Sequence, residues 1–297
     1  MAKPQLTKQK AQWVKNRDVT LRGNRLNYNA ALQAQYARDI ERLIAYMIKQ
    51  TMHEISNLFN SKTSVEFFKS QEKVAAMDAS IASQARILLN KLTKRLTDIF
   101  GMKAKTLAER MIKSTLKISK NNLHSSLEQL TGGLSLKTGI VSKGLENVAK
   151  ASIEENVALI KSIPQEYFKN VTGAVMRSIT TGRGIADLIP EIQKYDGQTK
   201  RRGRNLALDQ TRKAYNSINA QKMQSLNIKQ FAWIHSGGGQ TPRKSHQKID
   251  GVIFSFENLY AEQAKLGVPE SDRGIPGNAI NCRCVMQPVI DFENKEA

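Results

Sequence analysis

FAWIHSGGGQTPRKSHQKIDGVIFSF, residues 231–256, is where the chain changes character. Phe231 to Ile234 brings aromatic and β-branched residues together in a short run, and Gly251 to Phe256 does so again, which predicts two strands. GGGQTP between them reads as a turn, and Asp250-Gly251 is a turn signal ahead of the second run. CRCVMQPVI, residues 282–290, reads as a last strand. Upstream, apolar residues recur at three- and four-residue spacing. The expected fold is therefore mainly α: a long helical N-terminal region followed by a small C-terminal α+β module.

Outward from that stretch, Asn205–Leu226 reads as an amphipathic helix, with Leu208, Thr211, Tyr215 and Ile218 on one face. YDGQTKRRGR (195–204) reads as a polar connector, and Ile185–Lys194 as a short helix. Gly182 and Gly184 should stop the helix before it, and Pro164 should start that helix at its first turn. TGGLSLKTGIVSKG (131–144) reads as a hinge. Three further helices are expected over about 29–60, 64–101 and 103–130. Their stripes are Leu32, Tyr36, Ile40, Leu43 and Met47; then Val74, Met77, Ile81, Ala85, Leu88, Leu92 and Ile99; then Leu107, Met111, Thr115 and Ile118. Residues 1–28 read as a basic flexible arm, 29–200 as the helical region, and 201–297 as the C-terminal module.

Lys and Arg number 46 against 26 Asp and Glu, a net charge of +20. The excess implies an acidic partner, double-stranded DNA through non-specific electrostatics being the commonest. Residues 40% hydrophobic exclude a wholly disordered chain. Aromatics at 6% argue against a β-sandwich or barrel. Two cysteines cannot build a disulfide scaffold. No run approaches the ~18–20 apolar residues of a membrane span, and MAKPQLTKQK carries no secretory h-region. The expectation is a protein of a reducing cytoplasm with no membrane partner.

The residues that can carry chemistry cluster near the C-terminus: Arg243, His246, Asp250, Gly251, Pro276, Gly277, Asn281, Cys282, Arg283 and Cys284. In an extended Cys-x-Cys both sulfurs share a face and can reach one ion. With His246 and His235 they supply the two sulfurs and two imidazoles of a structural zinc site, the single cofactor expected. The alternative is that both cysteines are small buried apolar residues. His246 and Asp250, four apart, suggest either a general base held by a carboxylate or a structural hydrogen bond fixing the turn. Gly251 and Gly277 suit turns of positive φ, and Arg243 and Arg283 suit pairing with Asp250 or with an acid on a partner. Neither a hydrolase elbow nor a P-loop is present.

At this cluster the sequence resembles the phage head-morphogenesis proteins, the minor head proteins typified by the F protein of phage Mu. Trp233 on an aromatic strand, Arg243 to Gly251, Pro276-Gly277 and Asn281 to Cys284 carry the resemblance, in that order. LALDQTRKAYNSINAQKMQSLNIKQFAW, IKSIPQEYFKNV and TTGRGIADLIPEI extend it over about Leu159 to Ile290. Family members often have an acidic residue ahead of the first arginine, where this chain has GGGQTP. The resemblance implies a structural, non-enzymatic minor capsid protein, present in few copies inside the virion head near the portal vertex. It would bind portal protein and other head or scaffolding proteins during procapsid assembly in the host cytoplasm. It could also contact DNA or help package or eject it. The competing expectation is a metal-dependent enzyme, such as a nuclease or toxin-like domain using His246, Asp250 and the cysteines.

Overall fold

The computed structural model describes residues 19–61, 75–131, 142–237 and 241–292. The elements run β1 (Val19–Arg22), α1 (Ala30–Phe59), α2 (Ala75–Thr131), α3 (Lys143–Thr180), α4 (Ile185–Ser225), β2 (Gln230–Ile234), α5 (Lys244–Lys248), β3 (Ile253–Ser255), α6 (Leu259–Lys265), a 3-10 turn (Glu270–Asp272) and β4 (Val285–Phe292). The fold is mainly α with a C-terminal α+β module, as expected.

Two compact units emerge. One comprises 34–109 and 153–207 and is helical. Its core follows the 3.6-residue period: Tyr36, Ile40, Ile44 and Met47 on α1, then Ile81, Ala85, Leu89, Leu92, Leu96 and Phe100 on α2. Leu89 and Phe100 hold the buried positions expected of Leu88 and Ile99, because the stripe drifts with the true period of the helix. Ile160, Ile163, Tyr167, Phe168 and Val171 of α3 and Leu188 and Ile192 of α4 are buried in the same unit.

Three expected breaks are absent. Gly101 lies inside α2, flanked by fully buried Phe100 and Ala104. A lone glycine costs a helix about 1 kcal/mol, which the packing on either side outweighs. Pro164 lies inside α3, next to fully buried Ile163. The connector expected over 195–204 is helical within α4. There Gly203 is a contact residue: a Cβ on it would lie 2.4 Å from Ile44 Cδ1. The expected boundary near residue 200 thus falls inside a continuous helix. The hinge expected over 131–144 falls largely on residues outside those described.

The other unit comprises the described residues up to Gln33, Arg110–Ser152 and Leu208 onward. Its sheet is antiparallel in the order β1-β4-β2-β3. Side chains alternate across it. Phe231, Trp233 and Met286 enter a core with Leu26, Leu123, Leu127, Tyr215, Met223, Ile249 and Phe254. Ala232, Ile234, Val285 and Val289 form a smaller cluster on the opposite side.

The arm expected over 1–28 is corrected at its far end. Val19–Arg22 pairs with β4 in the register Val19↔Phe292 to Arg22↔Val289, and Leu26 is fully buried. Without β1, β4 would be an edge strand with unpaired backbone groups. The rest of that segment, 1–18, lies outside the described residues.

Candidate functional site

Strand β2 places Trp233 in the core, and its ring meets His246 edge-on with centroids 4.8 Å apart. Helix α5 carries His246, only 2% exposed. The cysteines stand just ahead of β4, in a segment that turns at Asn281 (φ 60°). They are free thiols, each 3% exposed. Cys282 Sγ lies 3.6 Å and Cys284 Sγ 3.8 Å from His246 Nδ1, across 36 and 38 residues of sequence. The three donor atoms all lie within 4.8 Å of one another, making this a group able to hold a metal ion.

The imidazole is held from behind. Its Nε2 is 3.0 Å from the Asp272 carbonyl, which can only accept, so Nε2 carries the hydrogen and Nδ1 turns its lone pair toward the sulfurs. Asp272 is itself fixed: its carboxylate accepts from Arg243 Nε at 3.0 Å and Ser245 Oγ at 2.7 Å. Arg243 also donates to the Ile280 carbonyl, tying α5 to the segment ahead of the cysteines.

The electrostatics favour a thiolate at Cys282. The adjoining Cys284 thiol lowers its pKa most. Burial opposes this, but His246 and the backbone N–H groups of Gly277 and Cys284 add to the lowering. Cys284 is pushed up by Cys282 and by burial. Burial works against a charge on His246, yet the Cys282 sulfur and the Asp272 carbonyl outweigh it and raise its pKa.

Gly277 shows why a side chain is absent at that position. Its φ is +84°, and a Cβ would lie 2.8 Å from Asn216 Nδ2 and 3.2 Å from the Arg212 carbonyl. Pro276 before it is buried.

The remaining expected residues serve the frame. Asp250 accepts from the His235 backbone N–H at 2.8 Å, and Gly251 (φ 77°) donates to the Trp233 carbonyl at 2.7 Å, so the turn is laced to the end of β2. The pairing expected of His246 with Asp250 is replaced by these bonds, because α5 ends at Lys248. His235 stands outside the donor group, and its Nδ1 accepts from the Gly237 N–H. Arg243 pairs with Asp272 rather than Asp250, and Arg283 points to solvent between the two cysteines.

Four residues of the frame escaped the sequence reading. Asp209 accepts from the Asn281 N–H and shapes the turn before Cys282. Asn216 donates to the Cys284 carbonyl at 3.3 Å. Gln263, fully buried, bonds Gly274 through both its amide atoms, and Asp272 backs His246. A signal for the first two existed: Asp209, Arg212, Asn216 and Asn219 recur at helical spacing beside the apolar Tyr215 and Ile218, and a polar stripe there marks buried partners.

Residues 169–287 match the family model described as Phage Mu protein F like protein. An uncharacterized protein of Haemophilus influenzae is 33% identical over 136 residues, which is 46% of this chain and 28% of that protein. The uncharacterized protein YqbB of Bacillus subtilis is 24% identical over 126 residues, 41% of each chain. The chain therefore spans less than half the length of these curated relatives. No solved structure matches. The matched segment, residues 169–287, holds Trp233, His246 and both cysteines, and over that segment the chain is similar to the Phage Mu protein F like family.

Proposed function

We propose that this protein is a structural minor head protein of a tailed phage, acting in procapsid assembly at the portal vertex and contacting portal protein and packaged DNA. The match of residues 169–287 to the Mu F-like family carries this reading. Two further observations support it. The net charge of +20 suits a protein working against DNA or an acidic protein face. The cluster of His246, Cys282 and Cys284 is 2–3% exposed, which suits a group that holds a fold together better than one that meets a substrate. Its place would be inside the virion head, reached from the host cytoplasm during assembly. Among the described residues no helix is long and apolar enough to cross a membrane.

The deciding experiment is quantitative mass spectrometry of purified particles, with peptides of this chain compared against the major capsid protein. A few copies per particle, together with retention of portal protein by the tagged full chain, is the expected result. Absence from both procapsids and mature heads would overturn it. DNA contact is checked separately by titrating salt: the log–log slope of binding should steepen by roughly 0.9 for each phosphate neutralised. A flat salt dependence would remove DNA from the reading and leave the portal.

A further inference from the structure

We propose that His246, Cys282 and Cys284 form a zinc site, with Zn2+ bound by His246 Nδ1 and the two cysteine sulfurs. The inference stands on this cluster alone and does not depend on a role in a phage head.

Distances come first. Ligands at about 2.3 Å (sulfur) and 2.0–2.1 Å (nitrogen) around a tetrahedral ion stand about 3.6 Å apart. The observed separations from His246 Nδ1 are 3.6 Å to Cys282 Sγ and 3.8 Å to Cys284 Sγ. Both sulfurs already stand at that separation from Nδ1, and the three donor atoms all lie within 4.8 Å of one another.

Orientation comes second. A ligating histidine characteristically donates its other ring N–H to a carbonyl or carboxylate, which fixes tautomer and ring plane. His246 does so through Nε2 to the Asp272 carbonyl. Asp272 is anchored in turn by Arg243 and Ser245, so the backing of the ligand is itself supported.

The donor set selects the ion. Two thiolates and an imidazole are too soft for Mg2+ or Ca2+ and suit Zn2+. Among the described residues no fourth His, Cys, Asp or Glu joins the group, and His235 is turned away to Gly237. Binding joins α5 to the segment ahead of β4, parts of the chain 36 residues apart. A small module with a four-stranded sheet gains stability directly from such a link.

The test uses the full chain, purified without chelator and dialysed. The expected result is stoichiometric zinc by elemental analysis. Replacement by Co2+ should give the intense visible bands of a tetrahedral ion together with sulfur-to-cobalt charge transfer in the near ultraviolet. His235→Ala should keep both signals, while Cys282→Ser, Cys284→Ser and His246→Ala should lose stoichiometric metal. Because those variants could fail to fold, titration of the wild type with a thiol-specific mercurial supplies a second reading: zinc should leave in step with the two thiols. A folded wild-type chain that carries no zinc and gives no charge-transfer band with Co2+ overturns the proposal. So does zinc that survives complete thiol modification, or a cobalt spectrum showing only oxygen and nitrogen ligands.

Discussion

The helical unit and the sheet-bearing unit are built by different kinds of contact. In the helical unit the buried residues of each helix repeat every three or four positions, so each helix declares its inner face locally. Among its buried hydrogen bonds, Tyr36 Oη donates to Asn156, 120 residues away, and Tyr167 Oη to Asp196. In the sheet-bearing unit the decisive contacts join distant positions. Val19 pairs with Phe292, and His246 meets Cys282 and Cys284. Asn216 reaches Cys284, and Ser119 donates to Asn219 across 100 residues. Such contacts repay the entropy of closing long loops only once the whole unit forms. The sheet-bearing unit should therefore fail as a whole, whereas the helical unit should yield by degrees.

The largest effect should come from matched truncations, one in each unit. Trp233→Ala and Phe100→Ala each remove a fully buried ring and should each cost about 3–5 kcal/mol. Hydrogen exchange tells them apart. The tryptophan change should release protection across 230–255 and 285–290 together, and the phenylalanine change only around its own helical layer. Equal loss everywhere in both variants would dissolve the distinction between the units.

Leu26→Ala comes next, at about 2–5 kcal/mol. Leu26 is fully buried and packs with Leu123, Leu127, Tyr215 and Met223, although it sits in a polar stretch of sequence. Its loss should unpair β1 from β4, read as faster amide exchange of Gly23, whose N–H donates to the Pro288 carbonyl. A change near zero would return the whole N-terminal stretch to the role of an arm.

Tyr167→Phe should cost about 0.5–1.5 kcal/mol, the range for one net hydrogen bond. It removes the donor to Asp196, whose pKa is already raised by burial, and should raise it further, as carbon-detected NMR titration would show. Unchanged Asp196 titration would mean that the pair contributes nothing to the helical unit.

A further effect is confined to alkaline pH. Burial, with Lys120 nearby, lowers Lys222 from 10.5 to about 8. Between those values the unfolded chain holds more protons than the folded one, so this group makes stability rise with pH across roughly 8 to 10.5. Lys222→Met should abolish that slope in denaturant titrations at successive pH. A slope of the same size in the variant would assign it to other groups.

The helical period was readable because it is local: Tyr36, Ile40 and Met47 needed only their neighbours in sequence to be placed. The stripe on α2 was placed less well, since Leu88 and Leu89 are both apolar and only packing chooses between them. Gly101, Pro164 and Gly203 misled for a related reason. Each carries a local tendency to break a helix, and tertiary contact overrides it, at Gly203 by seating Ile44 against the missing side chain.

At the candidate site the sequence by itself determined the chemistry. It supplied two histidines and two cysteines in the right part of the chain, an aromatic strand beside them, and the glycines at which the backbone turns. Residue types and short spacings suffice for that, because donor identity is a property of the side chain. Only the tertiary structure decided membership. It kept His246 and turned His235 away, replaced Asp250 by the Asp272 carbonyl behind the imidazole, and drew β1 onto β4 from the far end of the chain. The choices at the site depend on where loops of 26 to 38 residues close, and the pairing of β1 with β4 on closing a far longer one; loop closure is settled by the packing of the whole unit, not by the residues at either end.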